Sequence, residues 1–250
     1  RDQTRIARDS DIVVWPEVAV PSLIGRERGF VAQLAADARE SGQAILFGIL
    51  EDAVERGERR VYNSVVLVDG TGQQVYRKRH LVPFGEYFPV PERVREWMRM
   101  MSLPHSDLAA GAAEQRLLET AGGIRIATMI CYEDAYNAEQ LYALPAAGVL
   151  VNVSNDAWFG DSIAAHQHLQ IAQMRSREAG RPGIRATNTG ISAFIDHEGR
   201  VIERGPQFQP VTMTADLVPR TGTTPFVASG NVPVVALSLL LLVFARIRRN

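Results

Sequence analysis

Residues 124–134 read Ile-Arg-Ile-Ala-Thr-Met-Ile-Cys-Tyr-Glu-Asp. A short run rich in β-branched and apolar residues stops abruptly at a polar cluster, and helical patterning follows over 135–147. Such a run, too short for a buried helix and sharply bounded, reads as a strand of a covered sheet feeding a helix. Cys131 then stands on a tight strand-to-helix turn at a sheet edge, a position at which nucleophiles are commonly presented.

The same pattern recurs outward from this stretch. Strands are expected at 12–15, 44–50, 63–68, 74–77, 124–130, 149–153, 185–187, 192–196 and 211–216, with helices at 26–41, 92–101, 135–147 and 162–179. Alternation of the two element types indicates stacked α/β units. There is no internal repeat, low-complexity tract or linker, so residues 1–220 read as one catalytic-sized domain. The 250 residues carry 27 Lys+Arg against 28 Asp+Glu, a net charge of −1, which excludes a nucleic-acid binder held by a uniform basic field. At 46% hydrophobic and 22% charged, the chain is too apolar for disorder and too mixed for a polytopic membrane protein. Arg1 opens the sequence without a methionine, a strand or a secretory apolar region, as a piece of a longer protein would.

Two singletons narrow the chemistry. Cys131 is the only cysteine, so no internal disulfide forms. Lys78 is the only lysine, and all other cationic positions are arginine, which marks it for a task that needs a compact ammonium. A thiol at a helix N-terminus near an ammonium is expected to be a thiolate. Taken alone, a single cysteine is equally a small buried apolar side chain. No histidine stands in a setting that pairs with Cys131, so a carboxylate is the candidate base. Glu17 ends the run DIVVWPE and Glu86 lies in LVPFGEYFP, both flanked by proline and aromatic residues. An apolar pocket of that kind suits a carboxylate acting as general base near neutrality, although either residue alone also fits the surface.

The C-terminus is a different material. Residues 232–245 read VPVVALSLLLLVFA, and the uncharged stretch extends back to Thr221 before the ending RIRRN. A transmembrane helix within 221–250 with a basic cytoplasmic end is expected, the alternative being a buried terminal helix. His166 and His168 lie two apart on an expected helix and do not share a face, so no metal site is expected, and no cofactor motif occurs.

Glu17, Lys78 and Cys131 together resemble the Glu-Lys-Cys site of the nitrilase (carbon–nitrogen hydrolase) superfamily. VVWPEVAVP, YRKRHLVPFGEYFP, ICYED, NVSNDAWFGDS at 152–162 and HQHLQIAQMRSREAGRPGIRATNTGISAFID at 166–196 are similar to its apolipoprotein N-acyltransferase branch. The resemblance implies a nitrilase-like αββα sandwich, here lacking its first strand, and preceding membrane helices outside this sequence. It implies a bacterial inner-membrane location, with the catalytic domain on the periplasmic side. The implied reaction passes an acyl chain from a phospholipid through a Cys131 thioester to the α-amine of a diacylglyceryl-modified apolipoprotein. In it Glu17 moves the proton and Lys78 stabilises the oxyanion. By the same resemblance Glu86, Tyr132 and Glu133 support the site. Trp97 and Met98, in the segment 88–108, and Trp158 and Phe159 are candidates for an acyl path, because acyl chains need an apolar route from bilayer to cysteine. The same trio serves an amidase with water as acceptor, and the same fold serves a catalytically inactive membrane scaffold.

Overall fold

The computed structural model describes residues 7, 9–55, 57–91, 93–94 and 108–248. Eleven strands are described, in two sheets. In the first, β1 (Ile12–Val14) and β2 (Val20–Leu23) lie end to end along one edge, both parallel to β3 (Ala44–Glu55). Antiparallel β4 (Glu58–Asp69) and β5 (Gly72–Arg77) complete it. The second sheet runs β11 (Val201–Arg204), β10 (Ala193–Ile195), β9 (Gly183–Thr187), β8 (Val149–Ser154), β7 (Arg125–Ile130), β6 (Leu118–Glu119), with β7, β8 and β9 parallel.

The two sheets pack face to face. Leu46, Val65, Leu67 and Tyr76 of the first meet Ile126, Ile130, Val149, Val151 and Val153 of the second in one buried cluster. Alternation in the strands sends the intervening residues outward, where helices cover them. Phe47, Ile49, Val66 and Val68 lie under α1 (Arg28–Ser41), whose Val31, Leu34 and Ala38 recur at helical spacing. On the far side, Ala165, Leu169 and Ala172 of α2 (Ala164–Ala179) cover Ala193 and Ile195, while Ala143, Leu144 and Ala147 cover Ala127, Met129 and Leu150. The layers are therefore α, β, β, α. Each fully buried Leu, Ile or Val contributes roughly 1.5–3 kcal/mol relative to exposure.

Several expectations are corrected. Residues 135–147 form no α-helix. A 3₁₀ turn at Cys131–Ala135, a second at Asn137–Gln140 and further turns take that place, and Pro145 denies the helix a donor in its last turn. Residues 211–216 run without a ladder partner and none of them is buried, since alternation alone supplies no neighbouring strand edge. Strands β2, β6 and β11 are additional; β2 carries Pro21 and β6 has two residues, so neither has a recognisable period. The helix expected at 92–101 lies largely outside the described residues.

The C-terminal run forms α4 (Val232–Ile247), separated from the short α3 (Pro225–Ser229) by Gly230 at φ 55°. Its 16 residues extend about 24 Å. Among the described residues no helix is long and apolar enough to cross a membrane. Nor is α4 a buried terminal helix, because Val234, Leu237, Leu240, Leu242 and Phe244 are all exposed.

Candidate active site

The pairing pattern brings particular strand ends together. Because β3 is parallel to β1 and two antiparallel steps separate it from β5, the C-terminal ends of β1 and β5 fall at the same edge of the first sheet. Glu17 follows β1 there and Lys78 follows β5. Across the sandwich Cys131 follows β7, Asn155 follows β8 and Asn188 follows β9.

Glu17 stands in the gap between β1 and β2, where residues 15–19 leave the ladder and press against β3. Gly48 of β3 makes this possible. A Cβ there would fall 2.6 Å from the Pro16 carbonyl oxygen and 2.8 Å from the Glu17 carbonyl carbon, and would overlap the Val18 nitrogen. The Glu17 side chain is 6% exposed and fully engaged. Its Oε1 accepts from Asn63 Nδ2 at 2.7 Å and from Lys78 Nζ at 3.4 Å, and its Oε2 accepts from the Asn155 backbone N–H at 2.7 Å. Asn188 Nδ2 donates to its backbone carbonyl at 2.9 Å. The expected apolar pocket is thus a hydrogen-bonded cage, with residues of both sheets holding one carboxylate.

Lys78 is 1% exposed. Its backbone is fixed by bonds to the Asn63 carbonyl and the Gly111 N–H, each 2.8 Å, and its ammonium lies 2.9 Å from Glu86 Oε1. Burial opposes the ammonium, but the Glu17 and Glu86 carboxylates prevail and hold its pKa above that of a free lysine. Glu86 caps the loop 82–87, its Oε2 accepting from the Val82 N–H at 2.8 Å and its Oε1 from Asn63 Nδ2 at 3.0 Å. Asn63, in the middle of β4, therefore bridges both carboxylates. No motif in the sequence marked it.

Cys131 adopts φ 52°, a left-handed conformation rare for a residue with a Cβ, and packs against the inter-sheet core. The expected thiolate is not its resting form. Burial, reinforced by the charge of Glu17, pushes the thiol up to about 12, and Lys78 and hydrogen bonding with Ser154 recover only part of this. A 3₁₀ turn of 5 residues replaces the expected helix behind it. The sulfur thus needs a base to become a nucleophile.

Glu133 is buried below the turn. Its Oε1 accepts from the Arg79 N–H at 2.6 Å and the His80 N–H at 3.2 Å, and its Oε2 from the Ile130 N–H at 2.7 Å and the Tyr76 hydroxyl at 3.0 Å. This carboxylate ties the residues after Lys78 to the residue before Cys131, locking the two sheets in register at the site. Tyr132 is exposed and meets Tyr136 edge to face at 5.1 Å, and Tyr136 stacks on His80 at 4.4 Å. Trp158 and Phe159, in the turn just after Asn155, are exposed, Trp158 at 83%. Phe84, in the Glu86 loop, is exposed as well. Trp97 and Met98 lie outside the described residues.

Chemically, the arrangement offers a half-buried thiol, a charged ammonium and a carboxylate meeting where two sheets join. The profile of the carbon–nitrogen hydrolase family matches residues 4–225. The chain is 42% identical to the apolipoprotein N-acyltransferase of Methylococcus capsulatus, over 100% of this chain and 49% of that protein. It is 45% identical to that of Azotobacter vinelandii, over 96% and 46% respectively. The chain thus spans about half the length of the curated relatives it matches. Among solved structures it resembles a carbon–nitrogen hydrolase from Helicobacter pylori, at TM-score 0.61 and 15% identity over 82% of this chain and 77% of that one. It also resembles an amidase of the nitrilase superfamily from Nesterenkonia, at TM-score 0.59 and 17% identity over 84% and 78%. These two establish a nitrilase-like α/β fold.

Proposed function

The chain belongs to the carbon–nitrogen hydrolase family, and from that premise we propose that it is the catalytic part of an N-acyltransferase that completes bacterial lipoproteins. The observation that carries this reading is the match, along the whole chain, to proteins named apolipoprotein N-acyltransferase. Buried Glu17 and Lys78 with half-buried Cys131 supply the chemistry.

In the first half-reaction Cys131 Sγ adds to the acyl carbonyl carbon of a phospholipid ester while Glu17 takes the thiol proton. The thiol's raised pKa makes this base obligatory. Lys78 donates to the carbonyl oxygen as it gains negative charge. Glu86 holds the ammonium more closely than Glu17 does, 2.9 against 3.4 Å, which leaves Glu17 available for proton transfer. Collapse breaks the ester C–O bond, Glu17 returns the proton to the departing glycerol oxygen, and a thioester and a lysophospholipid remain. In the second half-reaction the α-amine of a diacylglyceryl-modified cysteine adds to the thioester carbon, with Glu17 accepting a proton from nitrogen. Collapse forms the amide, and the departing Cys131 sulfur takes that proton back.

Exposed Phe84, Trp158 and Phe159 stand within a few residues of Glu86 and Asn155, so the acyl chain approaches over an apolar rim. The apolar surface of α4 meets the bilayer, and residues 1–220 stand against it as a periplasmic catalytic domain. The test is to incubate the full-length protein with phosphatidylethanolamine vesicles and a diacylglyceryl-cysteine peptide. The N-acylated peptide is expected with the wild type and not with Cys131→Ala. Release of free fatty acid without acylated peptide would replace transfer by hydrolysis.

A further inference from the structure

Beside Cys131 lies a second set of buried charges that the steps above do not use. His168, on α2, points its ring between two 3₁₀ turns. Its Nδ1 is 2.9 Å from Asp156 Oδ1, and its Nε2 is 3.0 Å from Asp134 Oδ1 and 3.3 Å from the Cys131 carbonyl oxygen. Arg185, from β9, reaches the outer oxygens of the same carboxylates, Asp156 Oδ2 at 3.0 Å and Asp134 Oδ2 at 3.4 Å, and also pairs with Asn152 Oδ1. Asn152 Nδ2 then donates to the Cys131 carbonyl at 3.3 Å, and Ser154 connects the thiol with Asp156. Arg175, seven residues along α2 from His168, adds its charge to the field at Asp134. Glu17 and Lys78 act on Cys131 from the opposite sheet.

With both ring nitrogens facing carboxylates, only the doubly protonated imidazole satisfies the geometry. A neutral ring would turn a lone pair toward one of the aspartates. We propose that His168, as an imidazolium held between Asp134 and Asp156, is the positioning residue of Cys131: with Asn152 it grips the Cys131 carbonyl and keeps the nucleophile in its left-handed presentation. This rests on the reading of Cys131 as the nucleophile. Burial and Arg185 work against the charged ring, but the hydrogen bonds to Asp134 and Asp156 prevail and raise its pKa to about 9. The imidazolium's part of the grip is therefore in place at neutral pH and lost as pH rises through about 9, with the Asn152 amide left to hold the carbonyl alone.

Acylation of Cys131 in the full-length protein, followed by intact mass with p-nitrophenyl acetate as donor and Cys131→Ala as blank, tests this without reliance on the natural substrate. The acceptor amine takes no part, and neither the thiol nor Lys78 titrates near 9. The wild-type rate is expected to be level from pH 7 to 8.5 and to fall about tenfold per unit above 9, as one group losing a required proton dictates. Asp156→Asn, which removes one of the two carboxylates, is expected to move that fall about one unit lower. His168→Gln is expected to react at least 30-fold more slowly at pH 7.5, with KM for the ester within twofold and the fall abolished. A wild-type rate that does not fall up to pH 10, or a His168→Gln protein with wild-type rate and profile, overturns the inference. The wild-type profile needs no variant, so a misfolded substitution does not shield the proposal. Acylation by the ester but not by phosphatidylethanolamine overturns the acyltransferase reading and leaves the role of His168 to be judged on the ester alone.

Discussion

Lys78→Arg separates charge from geometry at the centre of the site. Lys78→Met would leave the buried Glu17 and half-buried Glu86 carboxylates without their cation, and breaking a buried pair costs about 3–5 kcal/mol, so lost activity would be confounded with lost fold. Arginine keeps the positive charge against Glu17 and Glu86. It cannot keep the shape, because Lys78 is 1% exposed and its ammonium fits between Glu86 at 2.9 Å and Glu17 at 3.4 Å. A planar guanidinium there has to move its neighbours, an overpacking cost of about 1–3 kcal/mol. At about 2–4 °C per kcal/mol for a domain of this size, the melting temperature falls by several degrees and the protein remains folded. The rate of Cys131 acylation falls further, about 10²–10³-fold, equivalent to about 2.7–4 kcal/mol, which is the loss typical of one removed oxyanion donor. The assay pairs acylation followed by mass with thermal unfolding of the same preparation. A folded Lys78→Arg protein that acylates within threefold of wild type would refute the assignment of Lys78 to the oxyanion.

Gly48→Ala is expected to displace residues 16–18, because the new Cβ would lie 2.6 Å from the Pro16 carbonyl, and to lower acylation at least 100-fold while a far-ultraviolet circular dichroism spectrum stays native. Glu133→Gln turns an amide NH₂ toward backbone donors of Arg79, His80 or Ile130, so a stability loss of about 1–3 kcal/mol by chemical denaturation, with slower acylation, is expected. Trp158→Ala removes a side chain that is 83% exposed, so the melting temperature is expected to stay unchanged and p-nitrophenyl acetate turnover to persist, while acylation from phospholipid vesicles falls severalfold. For pH-dependent stability, burial opposes ionisation of Asp156 but His168 and Arg185 hold its carboxyl down at about 2, so its contribution is present above about 3.8 and lost as pH falls through 2. His168, raised to about 9, contributes fully below about 6.5 and loses that contribution as pH rises through 9. Denaturation midpoints measured from pH 3 to 10 are expected to be highest between about 4 and 6.5.

Much of this arrangement is legible in the sequence. The apolar runs at 44–50, 63–68 and 149–153 become central strands because burial on both faces leaves continuous hydrophobic stretches. Cys131 ends such a run, while Glu17 and Lys78 follow shorter strand-like stretches at 12–15 and 74–77, which is why their positions at strand ends can be read directly. What escapes is the work of residues whose role depends on contact between distant segments. Asn63 touches Glu17 and Glu86, 46 and 23 residues away, and no local pattern marks it. His168 faces Asp134 and Asp156, 34 and 12 residues away, so its placement in a buried charge network is invisible to spacing on its own helix. The charge state of Cys131 reverses for a similar reason, since the dipole of a neighbouring helix is a local inference but burial is a property of the assembled sandwich. The strand expected at 211–216 fails because alternation cannot tell whether a free sheet edge is nearby.

Transfer through a cysteine thioester is tested most directly by the intact mass of the full-length protein purified from membranes and incubated with phosphatidylethanolamine alone. An added acyl mass that maps to Cys131, is absent from Cys131→Ala, and is lost to a diacylglyceryl-cysteine peptide with formation of the amide is the predicted result. A Cys131 that stays unmodified while acylated peptide accumulates, or a thioester discharged only by water, would contradict it.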